Sequence, residues 1–158
     1  MQVTVSSKTI DFDNLEKHLR DAGLEAILTA AKVLVRHTSD KIPVDSGMAR
    51  STWAPLGRYL GVSVPVGGKP TARKNPARGE NQSDFEIALH GATAYFRWSS
   101  DVKHYNINEN SKIAKVSSSP WKSIPYGVAK AKEAFKADII PAMRLALNAS
   151  ITFRERIY

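Results

Sequence analysis

Residues 11–47, DFDNLEKHLRDAGLEAILTAAKVLVRHTSDKIPVDSG, decide how the rest of the chain is read. Asp11 or Asp13 can accept from the unpaired N–H groups of a first turn, which starts a helix near Asn14. Leu15, Leu19, Ala22, Ala26, Ala30 and Val33 then recur at helical spacing, and the run continues to about Lys41. Leu24, Leu28, Ala31 and Val35 make a second apolar row along the later turns. A helix that is apolar on two faces needs two surfaces to pack on. The first row is therefore expected to face the chain's own sheet and the second, in part, a neighbouring subunit. Pro43 disfavours helical geometry at Ile42, and Pro43, Asp45, Ser46 and Gly47 supply turn chemistry in which Gly47 is expected at positive φ.

Outward from that turn, Arg50–Pro55 reads as a strand. Residues 58–82 are rich in glycine and proline and read as a long flexible loop, in which Leu60–Val66 can add an edge strand. Asp84–His90 alternates apolar and polar, Gly91 and Ala92 punctuate it, and Thr93–Trp98 follows, which is the pattern of an antiparallel hairpin. Residues 101–119 are polar and irregular. After Pro120 and Trp121, residues 123–136 and 138–148 read as helix, with Pro141 marking a kink or a second start. The expected architecture is α+β: a long N-terminal helix and a C-terminal helix packed on a small, mostly antiparallel sheet, in one domain spanning residues 1–158.

The chain has 158 residues and no cysteine, which excludes disulfide frameworks, thiolate metal sites and cysteine nucleophiles. No window approaches the ~18 apolar residues that a membrane-spanning helix needs, and residues 1–8 lack the apolar segment of a signal peptide. The expectation is a protein that neither spans a membrane nor is exported.

The formal charge of +8 is unevenly placed. Residues 1–57 are neutral and residues 80–111 come to −3, whereas residues 112–158 come to +6. Arg58, Lys69, Arg73, Lys74 and Arg78 give residues 58–79 a charge of +5 without a single acid. Burying so many uncompensated cations is too costly, so this loop is expected to be solvated or to dock on an acidic partner. Clustered cations also suit phosphates, yet no zinc finger, helix-turn-helix or RNP pattern accompanies them, so any DNA is met without sequence readout.

No catalytic pattern emerges. Gly68-Lys69 is followed by Pro70, and Ser63 stands where a P-loop needs glycine. Val44 two residues before Ser46 breaks the glycine–serine elbow, and His18, His37, His90 and His104 lack metal-ligand spacing. Asp84 and Glu86 share one face of a strand, which a solvent-facing edge explains more cheaply than acid–base chemistry. The chain is expected to be no enzyme and to need no cofactor or metal. The aromatics around Trp53, Tyr95, Phe96 and Trp98 suit core filling better than base stacking.

The order of long helix, Ile42–Ser51 turn, strands with a flexible loop, tyrosine-rich segment, and Pro120-Trp121 before a last helix resembles the tail-completion and neck proteins of tailed bacteriophages. Pro43, Asp45, Ser46, Gly47, Arg50 and Ser51 match the turn of that family of minor tail or head–tail connector proteins. The resemblance implies a virion protein of the neck or tail, assembled in the host cytoplasm. It also implies a ring, hexameric rather than dodecameric, that joins capsid and tail. Its partners would be copies of itself, adjoining portal, adaptor or tail proteins, and the DNA passing through the lumen. Two other readings fit the composition: a nonspecific nucleic-acid-binding protein, and a small assembly or scaffold factor.

Overall fold

The computed structural model describes residues 4–42, 47–67, 83–90, 93–100, 102 and 122–157. Strand β1, Thr4–Ile10, leads into helix α1, Phe12–Lys41. Two short helices follow, α2 at Met48–Ser51 and α3 at Ala54–Leu60. Strands β2, Ser83–His90, and β3, Thr93–Ser100, precede helix α4, Ser123–Ala149, and strand β4, Ile151–Ile157. The α+β architecture is the expected one.

Of the two candidate caps Asp11 is the one used, so helix α1 begins at Phe12, two residues before Asn14: the Asp11 carboxylate accepts from Asn14 N at 3.0 Å. It ends at Ile42, held extended at φ −71° and ψ 122° by the proline that follows. Helix α4 is continuous from Ser123 to Ala149, with Pro141 inside it. The two long helices pack on each other, and small residues permit their approach: Ala26, Ala30, Gly23 and Gly127 are buried. A Cβ on Gly127 would overlap Thr38 Oγ1, so the glycine lets the Thr38 and Leu34 side chains of α1 lie directly against the α4 backbone.

The sheets are two separate antiparallel pairs. In β2–β3, Phe85 stands opposite Trp98 and Ile87 opposite Phe96; all four pack against the core, while Asp84, Glu86, His90 and Arg97 are exposed. That alternation is the hairpin pattern of the sequence. The second pair joins the two ends of the chain, Ile10 opposite Ile151 and Thr4 opposite Ile157. Asp11 N donates to Ser150 O at 3.0 Å, tying this ribbon to the ends of α1 and α4.

The core is built from Ala31, Leu34, Val35, Ile42, Ala49, Trp53, Leu56 and Leu60, with the hairpin's inward residues laid over it. Three expectations are corrected here. Arg50–Pro55 is helical, not a strand, because Ala49, Trp53, Leu56 and Leu60 recur at helical spacing and all four are buried. Pro55 falls in the first turn of α3, where its missing N–H costs nothing. The segment after Gly61, which closes α3 at φ 71°, forms no strand through residue 67.

The third correction concerns the second apolar row of α1. Ala31 and Val35 are 2% and 0% exposed within the single chain, and Leu28 packs against the same core. The α2–α3 turn and the hairpin already cover this face along the later turns of α1. Only Leu24, 40% exposed, reaches beyond that cover.

Candidate functional site

Among the described residues no cluster of reactive groups stands out, so the candidate site is a set of surfaces, beginning with the turn between α1 and α2. Gly47 has φ 79° and ψ −4° and serves as the N-cap of α2, where its carbonyl accepts from Ser51 N at 3.0 Å. Arg50 Nη2 donates to Ile42 O at 2.9 Å, so the side chain spans the turn from its far side back to the C-cap of α1. Burial lowers the guanidinium's pKa from its ordinary value, and the charge of Asp40 works against that change. Ser51 Oγ and Thr52 Oγ1 donate to Met48 O and Ala49 O at 2.9 and 2.8 Å, which satisfies two buried hydroxyls at the junction. Pro43, Asp45 and Ser46 lie outside the described residues.

A polar row crosses the exposed face of the β2–β3 hairpin. Tyr95 OH donates to Glu86 Oε1 at 2.5 Å, and His90 Nε2 lies 3.0 Å from the same hydroxyl oxygen. Because Tyr95 has one proton and gives it to Glu86, the contact assigns His90 Nε2 as a donor. The rings of His90 and Tyr95 stack at 5.1 Å and 6°, and Arg97 Nε reaches Glu86 Oε2 at 3.9 Å. The Glu86 hydrogen bond, before partial desolvation and the carboxylate's charge, raises the Tyr95 pKa above its ordinary value.

The third surface belongs to α4 and the first half of α1. A shallow groove of about 370 Å³ runs between them, lined by small residues such as Ala22, Ala26 and Ala142 and bordered by Glu25, Asp138 and Leu145. Ile140, Met143 and Leu147 are exposed on α4, as are Lys132, Lys136 and Arg144. Residues 11–25 hold five acids against Lys17 and Arg20, so the neutral total of residues 1–57 conceals an acidic start to α1.

Of the cations expected to form the docking loop, Arg58 sits exposed in the last turn of α3 rather than in a loop. Lys69, Arg73, Lys74 and Arg78 lie outside the described residues. Among those described, no three His, Asp or Glu side chains gather to hold a metal, and no helix is long and apolar enough to cross a membrane. Neither models of known protein families, nor curated protein sequences, nor solved structures give a match to this chain.

Proposed function

We propose that this chain is a structural subunit of the neck of a tailed-bacteriophage particle, forming a ring that joins capsid and tail around the DNA channel. The observation that carries the reading is the clamp at the Ile42–Ser51 turn. Gly47 and Arg50, two residues of the resemblance, have a mechanical use there: one supplies the left-handed bend, the other ties α1 to α2. A joint subunit transmits force between partners through its element junctions, and the Arg50–Ile42 hydrogen bond fastens the start of α2 to the end of α1. The apolar residues exposed at one end of the helix pair supply the second need of a ring subunit, a surface that a partner must cover.

The test is genetic and visual. A phage whose copy of this chain is removed will accumulate filled heads and finished tails that do not join, and supplying the chain in trans will restore joined particles. Joined, infectious particles produced without it overturn the reading.

The net charge of +8 favours nonspecific nucleic-acid binding as the second reading. That reading requires the isolated chain to retain duplex DNA of arbitrary sequence with an affinity that falls steeply with salt. A joint subunit around passing DNA requires no such retention.

A further inference from the structure

The outer face of the β2–β3 hairpin brings together donors of three kinds. Glu86 and His90 are four residues apart on β2 and so rise from one face, and Tyr95 rises from β3 opposite Ala88, midway between them. Tyr95 Oη stands 2.5 Å from Glu86 Oε1 and 3.0 Å from His90 Nε2. The His90 ring is stacked on the Tyr95 ring at 5.1 Å and 6°, and Arg97 Nε lies 3.9 Å from the other carboxylate oxygen, Glu86 Oε2. Each donor is therefore oriented before any ligand arrives, which lowers the entropy cost of gathering them.

Imidazole, carboxylate and phenol are all metal-ligating groups. Histidine and carboxylates alone form no group of three among the described residues, and the phenol completes the set. With bonds of about 2.0 Å, two donors at a right angle about an ion stand about 2.8 Å apart. The Tyr95–Glu86 and Tyr95–His90 separations of 2.5 and 3.0 Å bracket that value, so an ion seats with Tyr95 beside both other ligands after small side-chain shifts. Charge selects the ion. A phenolate, a carboxylate and a neutral imidazole together cancel a dication, while Asp84 and Arg97, the other charged residues on this face, offset each other. Magnesium and calcium favour all-oxygen sites. One nitrogen and two oxygens, with solvent at hand to supply the remaining ligands, suit copper(II), which also heads the affinity order of the divalent ions.

We infer that Glu86, His90 and Tyr95 form a copper(II)-binding site on the outer face of the hairpin. On binding, the Tyr95 phenol gives its proton to water and its oxygen bonds the ion. Glu86 Oε1, released from that hydrogen bond, becomes the second ligand. The His90 ring proton moves through solvent from Nε2 to Nδ1, so that the Nε2 lone pair faces the ion. The ion keeps its oxidation state throughout. Copper binding here is independent of the neck reading.

Copper(II) chloride titrated into the full chain in a non-coordinating buffer tests it. The parent should develop a visible phenolate-to-copper charge-transfer band that saturates at one ion per chain. Tyr95→Phe keeps the ring but removes the phenol, and should abolish the band. His90→Gln and Glu86→Gln should each weaken binding by about tenfold or more. Near-ultraviolet circular dichroism of the Trp53–Trp98 stack, unchanged in all three variants, shows that the hairpin is kept. The remaining histidines can also take copper, but binding there carries no band that depends on Tyr95. A parent without the band, a band that persists in Tyr95→Phe, or an affinity unchanged by both His90→Gln and Glu86→Gln overturns the proposal. None of these outcomes touches the neck reading, whose own failure is joined particles made without the chain.

Discussion

The indole rings of Trp53 and Trp98 lie 4.1 Å apart between centroids and 8° from parallel. Trp53, 1% exposed, stands between α2 and α3, and Trp98 comes from the inward face of β3. The stack is thus the clasp between the helical junction and the hairpin, two segments at least 30 residues apart whose packing the backbone does not otherwise impose.

Truncating one member removes both its buried area and the stacking geometry. Trp98→Ala is expected to cost about 2–4 kcal/mol, somewhat below the loss for a wholly buried tryptophan. Trp98→Phe should recover roughly half. Denaturant unfolding followed by helical circular dichroism measures both, and a loss below about 1 kcal/mol for the alanine variant would show that the rings do not carry the contact.

Local signals made much of this fold legible. The Asp11 cap, the Ile42–Pro43 stop and the β2–β3 alternation each act through neighbours in sequence, and each element stands where those signals put it. The α2–α3 helices were legible too, in the spacing of Ala49, Trp53, Leu56 and Leu60, but the β-branched and aromatic character of Ser51-Thr52-Trp53 argues the other way. Packing of the 3.6-residue face overrides that local preference. The β1–β4 ribbon was not legible. Its partners are separated by more than 140 residues, from Ile10 to Ile151 and beyond, so no turn signal links them. The candidate surfaces divided similarly. Leu24 alone of its row remains open, because what covers Ala31 and Val35 comes from elements distant in sequence.

Gly47 sets the second prediction. Its φ of 79° lies in the left-handed region, and its buried position beside the Arg50–Ile42 bond leaves the backbone little room to relax. Gly47→Val should destabilise the fold by about 1–3 kcal/mol, and Gly47→Asn by less, since asparagine tolerates this region best after glycine. Equal melting temperatures for the valine variant and the parent would mean that the turn does not need this geometry.

Gly127 tests the approach of the long helices. A Cβ there would overlap Thr38 Oγ1 and come within 3.1 Å of both Leu34 Cδ1 and Leu34 O. Gly127→Ala is therefore expected to cost about 1–3 kcal/mol, outweighing the gain in helix propensity of roughly 1 kcal/mol that alanine brings. Thr38 is fully buried, and its Oγ1 has no hydrogen-bond partner among the described residues, so Thr38→Ala should be close to neutral alone. Combined, the two changes should cost less than Gly127→Ala by itself, since the hydroxyl that obstructs the new methyl is gone. Simple additivity across this double-mutant cycle would remove Thr38 as the obstacle.

The polar row on the hairpin carries the last prediction, in alkali. The proton of Tyr95 is held by Glu86 at 2.5 Å, and ionising the phenol would place two negative oxygens in that contact. Arg97 moderates the effect from 3.9 Å on the far carboxylate oxygen without cancelling it, so the Tyr95 pKa is raised. The sign follows from which protonation state the fold prefers. A raised folded-state value means that the neutral phenol stabilises the hairpin fully below the ordinary tyrosine value of about 10, and that this contribution is lost as pH climbs through the higher folded value. Of the five tyrosines, Tyr95 should therefore ionise late; the difference in phenolate absorbance between the parent and Tyr95→Phe isolates its titration. Glu86→Gln should bring that titration back toward the ordinary value, because the amide still accepts a hydrogen bond but carries no charge to repel the phenolate. A Tyr95 titration at the ordinary value in the parent, unchanged by Glu86→Gln, would mean that the Glu86–Tyr95 bond does not persist on the solvent face of the hairpin.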